Sequence, residues 1–305
     1  MSNRNTRVAV LMGGISAERT GSLMMGKNCV SALQGAEYDV IGIDAGDDVV
    51  AQLVAARADV AFNALMGRWG EDGAVQGLLE WLQIPYTHSG VNASAIGMNK
   101  AASRAVYQAN GLPVAKGRLI HRDRLADGHP LDPPYVLKPN LEGSSIGIQF
   151  IWDKATPAPS PDPDMAETVL VEELVPGMDL TVGVLRDRGF GVTQIETESG
   201  VWDYQSKYSQ PHARYKTPAA LPSEITAKCL ELGEAAHHAL GCRFISRTDL
   251  RWDQSKGLDG FTVIETNTQP AIGFEGGTFD SQLAAKNLTL SELCHWLVQD
   301  ASLRR

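Results

Sequence analysis

The chain has 305 residues, 43% of them hydrophobic and 21% charged, with a formal net charge of −9, a composition that builds sizeable cores in two or three domains. That charge and a pI near 5.3 argue against a nucleic-acid or anionic-membrane surface, because both attract basic faces. The cysteines Cys29, Cys229, Cys242 and Cys294 form no C-x-x-C pair, which excludes a zinc knuckle or disulfide framework and reads as buried thiols of a cytoplasmic protein.

In chain order, VAVLM (8–12), YDVIGID (38–44) and ADVAFNAL (58–65) read as strands. SAERTGSLMMGKNCVSAL and GAVQGLLEWLQ between and after them carry apolar residues at helical spacing. Strands alternating with helices imply a doubly wound, parallel α/β domain whose ligand loops are GGISAER and MGRWGEDG. RVAVLMGG is too short in its apolar run for a signal-peptide core, and no stretch is long enough to span a bilayer.

The rhythm changes near Asn99. A helix, KAASRAVYQANG, precedes strands YVLKP and TVLVEEL, which flank a glycine-serine loop, EGSSIG. The alternating prolines of ATPAPSPDPD (155–164) rule out regular structure there. Then come LTVGVL and GVTQIET, a helix from Ser223 to Leu240, two long strands joined by DQSKGLDG, and a terminal helix around LSELCHWLVQD. The expected boundaries are 1–98, 99–176 and 177–305.

Chemistry concentrates on the two long strands. Period-2 alternation places Arg247 and Asp249 of FISRTDLRW on one face, and Glu265 and Asn267 of FTVIETN on one face. If the faces coincide, two carboxylates, an amide oxygen and a guanidinium meet, a donor set that suits Mg²⁺ beside a phosphate. Taken alone, such a hairpin is more often a solvated face of salt bridges. Likewise Lys138, followed by Gly143, Ser144, Ser145 and Gly147, is either a phosphate cradle or an ordinary turn. Glu18 and the pair Glu71 and Asp72 sit where helix starts favour carboxylates. His237 and His238 read as helix-surface residues, and Trp69 and Trp81 as core or loop packing.

LMGGISAER, NALMGRWGEDGAVQGLLEWLQIPYTHSGV, MNKAASR, LKPNLEGSSIGI, VEELVPGMDLTVGVL, WDYQSKY, GCRFISRTDLR and IETNTQP resemble, in order and spacing, the D-alanine:D-alanine ligases of the ATP-grasp superfamily. The likeness runs from about residue 7 to the C-terminus. It implies an ATP-grasp fold, α+β in its ATP-binding part, behind an N-terminal Rossmann-like domain. It also implies ATP and two Mg²⁺ (or Mn²⁺) ions, two D-amino acid substrates joined through an acyl phosphate, a cytoplasmic homodimer, and a role in peptidoglycan precursor synthesis. Asp249, Glu265 and Asn267 match the family's metal ligands. Lys100, Lys138 and Lys207 match its phosphate lysines, and Ser145 lies in the loop over them. Glu172, with the backbone of Glu173 and Val175, matches the adenine contacts, and Asp179 the ribose contact. Arg247 matches the residue that stabilises the tetrahedral oxyanion, and Glu18 the acid on the first substrate's ammonium, with Ser144 and Tyr208 as its hydrogen-bonding partners.

Departures cluster on the amino-acid side. Met66 stands where the family has histidine, Trp202 where it has tyrosine, and Ala271 where a glycine N–H completes the oxyanion hole. NTQPAIGFEGGTFDSQL replaces the family's N-T-x-P-G-M-T-x-x-S-L, so that Gly276, Thr278 or Ser281 falls near the serine that holds the second carboxylate, and Glu275 brings a charge nearby. Beside a D-alanine:D-alanine ligase with a remodelled second subsite, the sequence leaves open a ligase for another amino acid or amine, and a nucleotide-binding paralogue without turnover.

Overall fold

The computed structural model describes residues 3–161, 165–197, 202 and 213–304. Lys207 and Tyr208 lie outside the described residues.

The first sheet is parallel, in the order β2-β1-β3, with β1 Arg7–Met12 between β2 Asp39–Asp44 and β3 Val60–Asn63. From Val8 to Met12 the central strand is buried without alternation, as befits a parallel strand covered on both faces. Helix α1 (Arg19–Gly35) packs Met25, Cys29 and Leu33 onto one of those faces. Helices α2 (Val49–Ala56) and α3 (Ala74–Trp81) give Leu53 and Leu79 to the core on the other. The C-terminal helix α8 (Leu290–Asp300) returns to this domain, where Leu293, Cys294 and Leu297 join the α1 core. Its capping box, Thr289 with Glu292, fixes where it starts.

Helices α4 (Val91–Met98) and α5 (Lys100–Ala109) lead to an antiparallel sheet ordered β4-β7-β5-β6: Gly117–His121, Thr168–Glu173, Tyr135–Pro139 and Gln149–Ile151. Alternation sends Tyr135, Leu137, Val169 and Val171 into a small core. Val136 pairs with Glu172 and Lys138 with Leu170, so Lys138 and Glu172 share the opposite face. The proline-rich segment has no helix or strand over 155–161, as its prolines dictate.

The third sheet is antiparallel, ordered β10-β9-β8-β11-β12: Arg214–Lys216, Arg188–Glu196, Met178–Leu185, Ile245–Trp252 and Phe261–Asn267. Helix α6 (Ser223–Leu240) covers one face, packing Cys229, Leu232, Ala236 and Leu240 against Leu180, Val182, Val192, Leu250 and Trp252. The short helix α7 (Thr278–Ala284) lies against β8 and β9. All four cysteines are buried, as expected, and burial pushes the thiols of Cys229 and Cys242 up to about 12.

Two expectations need correction. Trp81 is 87% exposed, at the end of α3, and Trp69 is half exposed. His237 is not on a helix surface: it is fully buried, its Nδ1 2.8 Å from Ser246 Oγ and its Nε2 3.0 Å from Asp187 Oδ1. The helical period alone does not show that this face of α6 meets the start of β11 and the β8–β9 turn. Asp187 Oδ1 also accepts from Phe244 N–H at 2.8 Å, so the imidazole ties together three segments just upstream of Arg247.

Burial lowers the pKa of His237, with Asp187 opposing. The unfolded chain, with an imidazole near 6.5, therefore takes up the proton more readily than the folded one. This contribution is complete above the unfolded pKa and is lost as the pH falls below it. Thermal melts between pH 7.5 and 5.5 should show His237→Gln destabilised by about 1–3 kcal/mol at the upper end and less acid-sensitive than the wild type. Equal slopes for both proteins would contradict a neutral buried imidazole.

Candidate active site

Strands β11 and β12 define the site. Arg247 pairs with Asn267 and Asp249 with Glu265 in direct antiparallel register, which puts all four side chains on one face. The sequence reading of coinciding faces is therefore observed, but strict alternation would also have brought Phe261 and Val263 to that face. They point instead into the α6 core, because the register shifts just past Asp249, where Leu250 pairs with Val263 and leaves Ile264 as an extra residue. This β-bulge turns the strand over between Val263 and Glu265, so one strand carries a hydrophobic anchor and a polar end on opposite faces.

Asp249 is held on two sides. Its Oδ1 accepts from Thr181 Oγ1 at 2.6 Å, while Arg247 donates from Nε and Nη2 to Oδ1 and Oδ2 at 3.0 Å each. Burial pulls the Arg247 pKa down, but the charge and hydrogen bonds of Asp249 more than compensate and raise it, so the guanidinium stays charged. The Trp202 ring lies 5.5 Å from its central carbon, so the aromatic at the altered position sits over the arginine. Glu265 has Lys100 Nζ at 3.8 Å. Burial lowers the Lys100 pKa, with Glu265 opposing. The Asn267 Nδ2 atom is buried without a hydrogen-bond partner among the described residues.

Across the cleft, the middle sheet presents Lys138, whose Nζ donates to Glu172 at 2.8 Å. Arg104 approaches the other oxygen of Glu172 at 3.3 Å. Asp179 pairs with Arg251 at 3.3 Å. The backbone N–H of Glu173 donates to Lys116 O, so its backbone offers a carbonyl rather than a donor. Apart from Arg104 and Lys116, these residues line a cleft between the two antiparallel sheets, with Ser145, Val175, Ile264 and Glu265, a concave site of the kind that takes a small-molecule ligand. Nothing in the sequence marks Arg104 or Arg251, because both pair with carboxylates that only tertiary structure brings near.

The first-domain loops close over the other end. Glu18 stands at the N-cap of α1 but makes no side-chain cap bond; its Oε2 accepts a short hydrogen bond from Ser144 Oγ. Its Oε1 lies where a Cβ on Gly67 or Gly143 would crowd it, at 2.6 and 3.0 Å. Of the two acids in GRWGEDG, Asp72 caps its turn by accepting from Trp69 N–H and Ala74 N–H. Glu71 does not: burial raises its pKa, and the charge of Glu18 adds to the effect. Met66 is a core residue, with its sulfur against Gly21.

In the altered loop, Ala271 is half-buried and lies outside the positive-φ set, so its Cβ brings no strain. Ile272 is fully buried. Asp280 accepts from the N–H groups of Gly273 and Phe274 at 2.8 and 3.3 Å, and Asn28 Nδ2 donates to Gly273 O at 2.6 Å. Glu275 is exposed, Thr278 buried and Ser281 half-buried. The donors fit the groups that the sequence suggests: two carboxylates and an amide supply hard oxygen ligands for Mg²⁺, the Asn267 amide nitrogen has no hydrogen-bond partner among the described residues, and lysines flank the cleft.

Models of two protein families match the chain, "D-ala D-ala ligase C-terminus" over residues 106–299 and "D-ala D-ala ligase N-terminus" over residues 45–89. A D-alanine–D-alanine ligase of Cereibacter sphaeroides is 50% identical over 299 residues, covering 98% of this chain and 97% of its own. One from Ruegeria pomeroyi is 50% identical over 306 residues, covering 100% and 99%. Among solved structures, the D-alanine–D-alanine ligase of Bacillus anthracis is 26% identical with a TM-score of 0.80, covering 98% of both chains; its complex with ATP scores 0.77 at 25% identity, over 96% of both. Two half-cleft sheets, a bulged polar strand end and these full-length matches have one reading: the chain belongs to the D-alanine–D-alanine ligase family, with its ATP-grasp fold.

Proposed function

We propose that this protein is an ATP-dependent ligase that joins two molecules of D-alanine, releasing ADP and phosphate, to make D-alanyl-D-alanine for peptidoglycan precursors. The observation that carries the reading is the single polar face of Arg247, Asp249, Glu265 and Asn267, opening onto a cleft flanked by Lys100 and Lys138. The relatives at half identity are named for D-alanine on both sides, which favours it over a different acceptor.

In this reading Asp249, Glu265 and Asn267 hold Mg²⁺, which supplies charge neutralisation for phosphoryl transfer when bound. Lys100 and Lys138, with Lys207 outside the described residues, bind phosphates, and Ser145 helps to cover them. Glu172, Glu173 and Val175 take the base and Asp179 the ribose. The Lys138–Glu172 pair orients the lysine and keeps a buried carboxylate compensated, and Arg104 shares that task. Glu18, aimed by Ser144 and joined by Tyr208, holds the first substrate's ammonium. The carboxylate of that substrate is first phosphorylated, and the amine of the second then displaces phosphate. Arg247, with the N–H of Ala271, stabilises the oxyanion that forms at the carbonyl under attack. Residues 1–98 bind the first substrate, 99–176 close over ATP, and 177–305 carry the metal ligands. In this reading the protein works as a cytoplasmic homodimer, as the family resemblance implies. No helix among the described residues is long and apolar enough to cross a membrane.

Phosphate release and product mass test the reading directly. With ATP, Mg²⁺ and D-alanine the expected product is the D-alanyl-D-alanine mass with stoichiometric phosphate, and release only with another acceptor would overturn it. Arg247→Ala should lower turnover roughly 10²- to 10³-fold while nucleotide still binds; loss of nucleotide binding with normal turnover per bound ATP would remove the assigned role. Glu265→Gln should raise the Mg²⁺ concentration needed for half-maximal rate by roughly tenfold or more, and an unchanged Mg²⁺ titration would exclude Glu265 as a ligand.

A further inference from the structure

Gln282 lies in the divergent C-terminal loop region, on α7, and is 1% exposed. Its side chain enters a notch between strands β8 and β9 made by Gly183 and Gly191, which pair directly with one another. A Cβ on Gly183 would stand 2.1 Å from Gln282 Oε1, and one on Gly191 2.9 Å from Gln282 Cβ, so any larger residue at either position would exclude the glutamine. Gly183 is also the register partner of Arg247, so the notch is on the polar face, beside the arginine.

The carboxamide is oriented without ambiguity. Its Nε2 donates to Thr181 O at 3.2 Å and to Thr193 Oγ1 at 3.0 Å. A flipped amide would set its oxygen against Thr181 O, which can only accept. The oxygen Oε1 has no hydrogen-bond partner among the described residues. An apolar side chain of similar size would avoid that uncompensated oxygen, so core packing does not account for a glutamine here.

Thr181, gripped through its main-chain carbonyl, is itself fully buried and donates from Oγ1 to Asp249 Oδ1 at 2.6 Å. The same carboxylate takes both contacts from Arg247. A continuous path therefore runs from α7 through Gln282 and Thr181 to the carboxylate proposed as a metal ligand. Gln282 also reaches Thr193, whose hydroxyl is 2.7 Å from that of Thr217, which anchors the carboxamide on a second strand.

We infer that Gln282 is a positioning residue for the metal–nucleotide site: by fixing the Thr181 peptide it sets the hydroxyl that orients Asp249, and so links the helix after the acceptor loop to the metal-binding strand. The inference rests on the reading of Asp249 as a metal ligand. Partners that orient a ligating carboxylate commonly matter as much as the contact itself.

The test compares binding of a non-hydrolysable ATP analogue with and without Mg²⁺, by calorimetry, in the wild type, Gln282→Leu, Thr181→Val and the double variant, with thermal melts of each. The wild type should bind more tightly with Mg²⁺. That tightening should fall roughly tenfold in Gln282→Leu and by a similar factor in Thr181→Val, with metal-free affinity retained, and the double variant should lose no more than either single one. A merely structural role would instead lower the melting temperature of Gln282→Leu and leave the ratio of the two affinities at its wild-type value. That result, or losses that multiply in the double variant, would overturn the inference. Gln282→Met, which keeps the length of the side chain, serves the same comparison if the leucine variant does not fold. Absence of any Mg²⁺-dependent tightening in the wild type would instead overturn the metal reading of Asp249 and the inference with it.

Discussion

The arrangement of the site depends on one register. Asp249 faces Glu265 and Arg247 faces Asn267 only because β12 contains an extra residue next to that pairing. Without the bulge, the residues that anchor β12 in the α6 core and the residues that face the cleft would share a side. With it, Phe261 and Val263 stay buried while Glu265 and Asn267 lie on the polar face with Arg247 and Asp249. Hydrophobic burial on one face thus holds in place a set of charges that would otherwise repel each other or be solvated, and the bulge is what makes the two demands compatible.

Charge compensation follows from that placement. Two carboxylates close together on a buried face are costly unless cations or donors answer them. Asp249 is answered by Arg247 and Thr181, Glu265 by Lys100, and Glu172 by Lys138 and Arg104. Lys100 and Arg104 both lie on α5, so their pairs with Glu265 and Glu172 tie the C-terminal sheet to the middle sheet through that helix.

Much of this was legible in the sequence, for physical reasons that also explain the rest. The long helices Ser223–Leu240 and Leu290–Asp300 are visible because their apolar faces are periodic and their ends are marked by glycine or a capping box. Arg247, Asp249, Glu265 and Asn267 are visible because strand alternation is a local property. His237 was misread because burial of one polar side chain depends on which element it meets, and nothing local encodes Asp187 or Ser246. Trp81 was misread for the opposite reason: an aromatic near a helix end carries no local mark of exposure. The return of α8 to the first domain is a topological fact without a sequence signal beyond its amphipathic pattern, and the bulge at Ile264 is invisible to a period-2 count, which continues through it.

The divergent loop is where sequence comparison alone suggests loss, and the structure gives a different account. Glu275, the charge that would oppose a bound carboxylate, is exposed, and Ala271 carries its Cβ without a strained φ. Asp280 caps the N–H groups of Gly273 and Phe274, Asn28 of the first domain holds the Gly273 carbonyl, and Ile272 is sealed in the core. Met66, in place of a hydrogen-bonding side chain, is packed into that same core. Apart from the exposed Glu275, the altered loop is built into the fold as a unit: Asp280 holds it from within, and Asn28 and the core around Ile272 and Met66 hold it from the first domain. Gln282, buried at the end of this loop and pressed into paired glycines beside Arg247, carries that connection on to the sheet that bears the polar strand end, through Thr181 and Thr193.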